Sequence, residues 1–343
     1  MLAQLPFEIV DHIIGYLDFN HLRSVARVCT AFRVPAQLRL FKTIQILPTC
    51  SGCFPDHIMS ILSSPHLLQC LSRLVLNFFF CKEVPALRPL WSHLPIMHRL
   101  RNMDMQFGPG ECLKMLSTPE FMGLARKMTL SLTCSPAPDL PTSDDPLPVH
   151  TLGLFVQASN HQLETRFVRK CSQSLRKLHL YITDTTPSLP FLPHLYELSL
   201  TTMTPRRNDQ ELVSWLPFLD QHPTITRMIL GYEFILAVQP PPNLLPNLQF
   251  LRASPAIIER LIPGRAVNDI HVEYFSRGRD GFPVDIMLRS LRQPFVPVTT
   301  ITIKTASDLP NELLANIVQS LPKLCQITLE WPCFKVRQWC EGT

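Results

Sequence analysis

Leu175-Arg176-Lys177-Leu178-His179-Leu180 is echoed at Leu195-Tyr196-Glu197-Leu198-Ser199-Leu200. In both, apolar residues occupy the first, fourth and sixth places. The last two alternate with polar residues, as in a strand with one dry and one wet face. Outward from this pair the same triplet recurs along the chain. Upstream it is carried by Phe41/Ile44/Ile46, Leu71/Leu74/Leu76, Leu100/Met103/Met105, Ala125/Met128/Leu130 and Val149/Leu152/Leu154. Downstream it continues with Ile225/Met228/Leu230, Leu248/Leu251/Ala253, Val267/Ile270/Val272, Val298/Ile301/Ile303 and Leu324/Ile327/Leu329. A chain that is 46% hydrophobic offers about one chance triplet in every ten windows, so single matches carry no weight. Two regularities do. The interleaved positions are mostly polar, with Val75, Ile229 and Phe250 the plain exceptions, and most gaps hold a helix-like segment with a start signal. Examples are Asn160 to Cys171, Asn208 before 209–219, Ser254-Pro255 before 256–261, and Asp308 to Leu321.

From Phe41 to Leu324 the eleven intervals average about 26 residues. Strand, helix, strand at that period resembles the leucine-rich repeat, whose stacked units form a horseshoe solenoid. The resemblance implies an α/β chain whose units each bury an apolar face against a neighbour. The family's asparagine, eight residues after the first leucine, is absent: Phe79, Gly108, Thr183, Met203 and Glu233 stand at such sites. Turn bonding must then be met by other groups. Two proline-rich stretches, 135–148 and Gln239–Pro246, read as surface loops, the first an insertion within the repeats.

The first forty-six residues have a different grammar. Residues 6–17 read as a helix, with Pro6 at its start, Glu8 in the first turn and Ile9, Ile13 and Leu17 at intervals of four. Val10 and Ile14 add a second stripe. A second helix is expected after Asp18-Phe19-Asn20 with Asn20 as cap, and Pro35 is expected to open a third short turn. Three short helices cannot enclose so much apolar surface by themselves.

Leu5-Pro6-Phe7-Glu8-Ile9, Ile13-Ile14-Gly15-Tyr16-Leu17, Leu22 and Val28-Cys29 with Phe32-Arg33 together resemble an F-box, and Leu40-Phe41-Lys42-Thr43-Ile44 is similar to its close in the fungal F-box set. Phe32 stands where many members carry Trp; an aromatic is kept. The resemblance divides the chain into an F-box at 1–46 and a repeat region at 47–343. It implies docking on the Skp adaptor and, through it, on a cullin. Carried over by position, Leu5, Pro6, Ile9, Ile13, Leu17, Leu22, Val28 and Phe32 are the adaptor-facing or motif-core residues.

Composition narrows the remaining classes. Thirty-three prolines with eleven glycines suit short elements and stiff connections and argue against glycine-rich phosphate loops. A net charge of +5 without basic runs longer than pairs such as Arg206–Arg207 argues against nucleic-acid binding. No run of about eighteen apolar residues exists to span a membrane, and Glu8 and Asp11 interrupt any signal-peptide pattern. Eleven cysteines, an odd count without framework spacing, suggest reduced thiols and a cytoplasmic or nuclear setting. Cys50-Ser51-Gly52-Cys53 lacks the second pair that zinc needs, and no catalytic or cofactor motif occurs, so neither metal nor cofactor is expected.

The expected function is a non-catalytic one: the substrate-recognition subunit of a Skp–cullin–F-box ubiquitin ligase. A repeat scaffold outside the ubiquitin system is the other reading. An unidentified protein substrate would meet the wet strand faces, with Tyr181, Arg227 and Arg252 as anchors because Tyr and Arg are favoured at binding hot spots. Parallel stacking would set Lys177, His179 and Tyr181 beside Glu197, Ser199 and Thr201, and Arg252 beside His271.

Overall fold

A computed structural model describes residues 5–46 except 29, 60–61, 63–78, 93, 96–107, 119–134 except 127, 146–156, 161–182, 188–202, 210–236 except 232–233, 238–274, 284–291, 294–305 and 312–330. The chain forms two compact units, Met1–Leu154 and Phe155–Thr343. Both are α/β.

The first unit opens with α1 (Phe7–Ile14), α2 (Phe19–Val28) and α3 (Thr30–Leu40). Pro6 caps α1 in an extended conformation (φ −53°, ψ 146°), and the Gly15 N–H closes it on the carbonyls of Asp11 and His12. The helix is thus shorter than the expected 6–17. The cap of α2 is Asp18, not Asn20: its Oδ1 accepts the His21 N–H at 2.9 Å, the distance in sequence from an N-cap to the third helical residue. That bond, before any other cause, holds the exposed Asp18 carboxyl below its ordinary range. Pro35 does not open a third turn; it lies buried inside α3, which starts at Thr30. Val10, Ile14, Leu22 and Ala36 form the core of the three helices, with Leu17, Val25, Ala26, Phe32 and Leu40 packed against it.

Five parallel strands follow in the same unit: β1 (Thr43–Ile46), β2 (Arg73–Phe78), β3 (Asn102–Phe107), β4 (Thr129–Cys134) and β5 (Val149–Val156). Ile44 pairs with Leu74, Leu74 with Met103, and Met103 with Leu130. The fourth triplet therefore sits two residues later than the sequence suggested, with Leu130 and Leu132 opposite Met103 and Met105. A shift in register after Leu130 then sets Leu152 and Leu154 opposite Leu132 and Cys134. Gly153 leaves room there for Thr133, whose Oγ1 would lie 2.7 Å from a Cβ and would have to shift.

In the second unit β6 (Lys177–Ile182), β7 (Glu197–Thr202), β9 (Arg227–Leu230), β11 (Phe250–Ala253), β12 (Asp269–Tyr274), β13 (Thr300–Thr305) and β14 (Gln326–Glu330) are parallel and in chain order. The middle residues of the triplets pair in one row: Leu178, Leu198, Met228, Leu251, Ile270, Ile301 and Ile327. From Leu178 to Ile301 each is fully buried. Leu329 in β14 is 45% exposed; β14 has one strand neighbour, β13, among the described residues. Short helices at His161–Cys171, Leu216–Asp220, Pro255–Leu261, Val284–Leu291 and Leu313–Ser320 fill the gaps. The expected helix over 209–219 is only partly one: β8 (Gln210–Glu211) pairs with β10 (Phe234–Ile235), and a 3-10 turn, Leu212–Trp215, precedes the helix. The caps expected at Asn160, Asn208 and Asp308, and the five sites lacking asparagine, lie outside the described residues. Residues 135–145 do too.

Two buried polar side chains tie turns to this sheet. Arg265, 1% exposed, donates to the carbonyls of Leu244, Leu261, Pro263 and Pro241 at 2.6–3.1 Å. Its bonds draw Gln239–Pro246 inward, so that stretch is not simply a surface loop: Leu244 and Leu245 are buried. Leu245 even adopts φ 53°, a left-handed conformation costing about 1–2 kcal/mol. His222 is the second. Its Nε2 accepts the Leu192 N–H at 2.9 Å, so Nδ1 carries the proton and donates to the Phe218 carbonyl at 2.6 Å.

Two outcomes follow from these packing facts. Leu198→Ala should cost about 2–5 kcal/mol in denaturant unfolding, since its pocket is walled by strands on both sides; a loss under 1 kcal/mol would contradict its burial. Burial lowers the His222 pKa, opposed by the Phe218 bond. The folded state thus favours neutral imidazole, and its stabilisation is complete above the unfolded pKa of about 6.5 and lost as pH falls through the lower folded value. His222→Gln should flatten the fall in melting temperature over that acidic window relative to wild type. Parallel curves for the two proteins would remove His222 from the account.

Candidate functional site

The two stripes of α1 part company in the structure. Val10 and Ile14 enter the core, whereas Ile9 and Ile13, one turn apart, are 48% and 44% exposed. Leu5 and Pro6 extend the exposed stripe before the helix, and Val28 stands exposed at the end of α2. Of the residues singled out by sequence, Leu22 is buried and Leu17 and Phe32 pack on the core, so these three hold the motif together. Tyr16, Phe19 and Val34 are also exposed and were not anticipated. Their signal lay in plain sight for Tyr16 and Phe19: large apolar rings flank Asp18 at a turn where no core position calls for them.

This apolar surface is held on a fixed frame. Arg39 of α3 reaches α1, its Nη2 donating to the Asp11 carbonyl at 3.0 Å and to Oδ2 at 3.3 Å. A side chain at Gly15 would crowd that guanidinium, its Cβ falling 3.1 Å from Nη2. The Tyr16 ring stands edge-on to His12, with its hydroxyl 3.3 Å from Nε2. Covering Ile9 and Ile13 would recover roughly 1 kcal/mol each, about half of a full side-chain burial. Contiguous exposed apolar surface of this kind marks a contact site.

A second surface lies on the polar side of the second unit's strands. Register sets Lys177 opposite Glu197, His179 opposite Ser199, Tyr181 opposite Thr201 and Arg252 opposite His271. Glu197 is nearly buried and draws in Lys177 Nζ at 3.0 Å, Arg227 Nε at 3.4 Å and His179 Nε2 at 3.7 Å. Glu273, equally buried, is bonded by Arg252 Nη2 and faces Lys304 Nζ at 3.7 Å. The Arg227 guanidinium also lies 4.0 Å from the Phe250 ring centre, a cation–π contact. Tyr181 is half-buried and stacked on Phe155 at 4.6 Å. All three expected anchors are thus already engaged within the chain and partly exposed.

Burial shapes the ionisation of this face. It lowers the His179 pKa against the pull of Glu197, and lowers that of His271 against Asp269, whose Oδ1 is 3.5 Å away. It also raises the Tyr181 phenol. For Lys177 burial pulls downward, but the hydrogen bond and charge of Glu197 outweigh it and the ammonium titrates above its usual range. Among the described residues no three His, Cys, Asp or Glu side chains are grouped to hold a metal ion. No helix among them is long and apolar enough to cross a membrane. Cys50 and Cys53 lie outside them; Cys70 and Cys325 carry free thiols.

Adjacent residues of α1 should therefore respond oppositely to truncation. Ile14→Ala should lower stability by about 2–5 kcal/mol, and Ile13→Ala by less than about 1 kcal/mol, in urea unfolding of the full chain. Equal losses would show that the exposed stripe is part of the core.

A search of curated proteins finds no match to this chain. A family model described as F-box-like matches residues 2–46, so the chain carries an F-box-like domain built of its first three helices.

Proposed function

We propose that this protein is the substrate-recognition subunit of a Skp–cullin–F-box ubiquitin ligase. F-box domains in general dock on the Skp adaptor, and the observation that carries the reading here is the exposed row Leu5, Pro6, Ile9 and Ile13 beside a separate, complete core of Val10, Ile14, Leu22 and Ala36. An F-box serving only as a cap on its own chain has no use for that second stripe. Docking on the adaptor covers it, with Val28, Tyr16 and Phe19 widening the contact.

The strands after residue 46 are degenerate leucine-rich repeats in this reading. Support comes from their parallel order, their mean period of about 26 residues and the burial of almost every triplet residue. Their polar faces, Tyr181, Arg227 and Arg252 among them, take the protein substrate. The receptor performs no covalent chemistry; it raises the effective concentration of a substrate lysine near a ubiquitin-charged enzyme. Its place of work is the cytoplasm or nucleus, where that machinery operates.

Co-purification tests the reading. Wild-type protein should retain a Skp adaptor, and Leu5→Ala with Pro6→Ala should weaken binding about thirtyfold, the equivalent of about 2 kcal/mol for a packed anchor. Ile9→Asp with Ile13→Asp should abolish it while circular dichroism stays unchanged. Failure of the wild-type chain to hold any Skp adaptor would sink the proposal.

A further inference from the structure

On the polar face of the second unit the charges are layered. Glu197 and Glu273 lie underneath, each side chain only 9% exposed. Above them Lys177, Arg227, Arg252 and Lys304 keep 36%, 42%, 35% and 33% of their side chains in solvent. The carboxylates orient the cations, and a molecule approaching from solvent meets the cations first. Two carboxylates interrupt the layer: Asp269 beside His271 on β12, between the strands of Arg252 and Lys304, and Glu330 opposite Lys304 in register.

The four cations also form an oblique row: Lys177 and Arg227 share one register position, Arg252 lies two residues further along its strand and Lys304 two further still. They stand on β6, β9, β11 and β13, which are separated by two, one and two strand spacings. At about 4.8 Å per spacing and about 3.3 Å per residue along the strands the row is about 27 Å long, the span of roughly eight extended residues. Phe250 beneath Arg227 adds an apolar contact and fixes the guanidinium plane.

We infer that this row binds an extended acidic segment of the protein substrate, laid across the strands with its carboxylates or phosphates on Lys177, Arg227, Arg252 and Lys304. The inference rests on the receptor reading for the word substrate and on charge layering for its chemistry. Glu197 and Glu273 are positioning residues: already paired cations lose little freedom when an anion arrives, so binding wastes less of its energy on ordering them. The cost is a weaker net field, which favours a ligand with several anionic groups over a single one.

The test uses the full chain purified with its Skp adaptor. A fluorescent peptide of about eight residues, with glutamate at alternate positions and serine between, is compared by anisotropy with its glutamine twin and with single-stranded oligouridylate. The acidic peptide should bind about tenfold more tightly than the twin and weaken as salt rises. Lys177→Gln, Arg227→Gln, Arg252→Gln and Lys304→Gln together should erase that preference. Arg166→Gln with Arg169→Gln, on the helix His161–Cys171, should leave it unchanged. Should the fourfold variant fail to fold, Lys177→Gln with Lys304→Gln carries the same comparison. Equal or absent binding of the two peptides overturns the inference, as does tighter binding of the RNA through the same four residues. Because adaptor retention is scored in the same preparation, failure here leaves the receptor reading standing, and loss of the adaptor leaves the peptide result interpretable.

Discussion

One backbone carbonyl per repeat sets the register of the strands. The carbonyl just before β1, β2, β6, β7, β9, β11, β12 and β13 accepts two N–H groups from the start of the next strand. Arg176 takes those of Tyr196 and Glu197, Tyr196 those of Thr226 and Arg227, and Thr226 those of Gln249 and Phe250. Gln249, Asn268 and Thr299 continue the relay to Cys325 and Gln326. Lys42 and Ser72 do the same in the first unit, and the hydroxyls of Ser72, Thr226 and Thr299 add a bond to the carbonyl that their own N–H also uses. A slip of one residue would break both bonds and turn every apolar side chain outward. The relay needs no particular side chain, which explains how repeats so irregular in sequence keep a common frame.

That frame explains the polar face. With register fixed, Lys177, Glu197 and Arg227 must fall in one row, and a carboxylate between two cations becomes a stable buried group rather than an unpaired charge. Burial of Glu197 and Glu273 follows from the long aliphatic stems of the lysines and arginines around them. The same surface therefore combines a rigid pattern with side chains still half in solvent. Such a combination suits recognition. The N-terminal helices use the opposite means, an apolar stripe displayed on helices clamped by Arg39 and Asp11.

The sequence made much of this legible because burial and periodicity are coupled. Apart from the fourth, every triplet from Leu71 to Val298 marks a place where a strand begins, and the predicted neighbours across β6, β7, β11 and β12 stand in register. The fourth triplet stands two residues from where its pattern points because Met128, Leu130 and Leu132 alternate without interruption, and alternation alone has no phase. Only the Thr129 N–H on the Arg101 carbonyl decides it. Asp18 and Asn20 are both good caps, and geometry chose the first. Arg265 gave no signal at all: its four carbonyl partners come from turns whose meeting no local pattern encodes. In the F-box-like domain the motif named its members but not their facing, since Ile9 and Val10, or Ile13 and Ile14, are equally apolar and only packing assigns one to the core.

Hydrogen–deuterium exchange on the full chain, alone and bound to a Skp adaptor, tests the central claim most directly. That claim is that the first three helices dock the adaptor through their exposed stripe and leave the charged strand face open. Slowed exchange should appear in peptides covering residues 5–34, with those covering β6 to β13 unchanged. Protection of the β6–β13 peptides, or unchanged exchange over 5–34 in a complex that demonstrably forms, would contradict it.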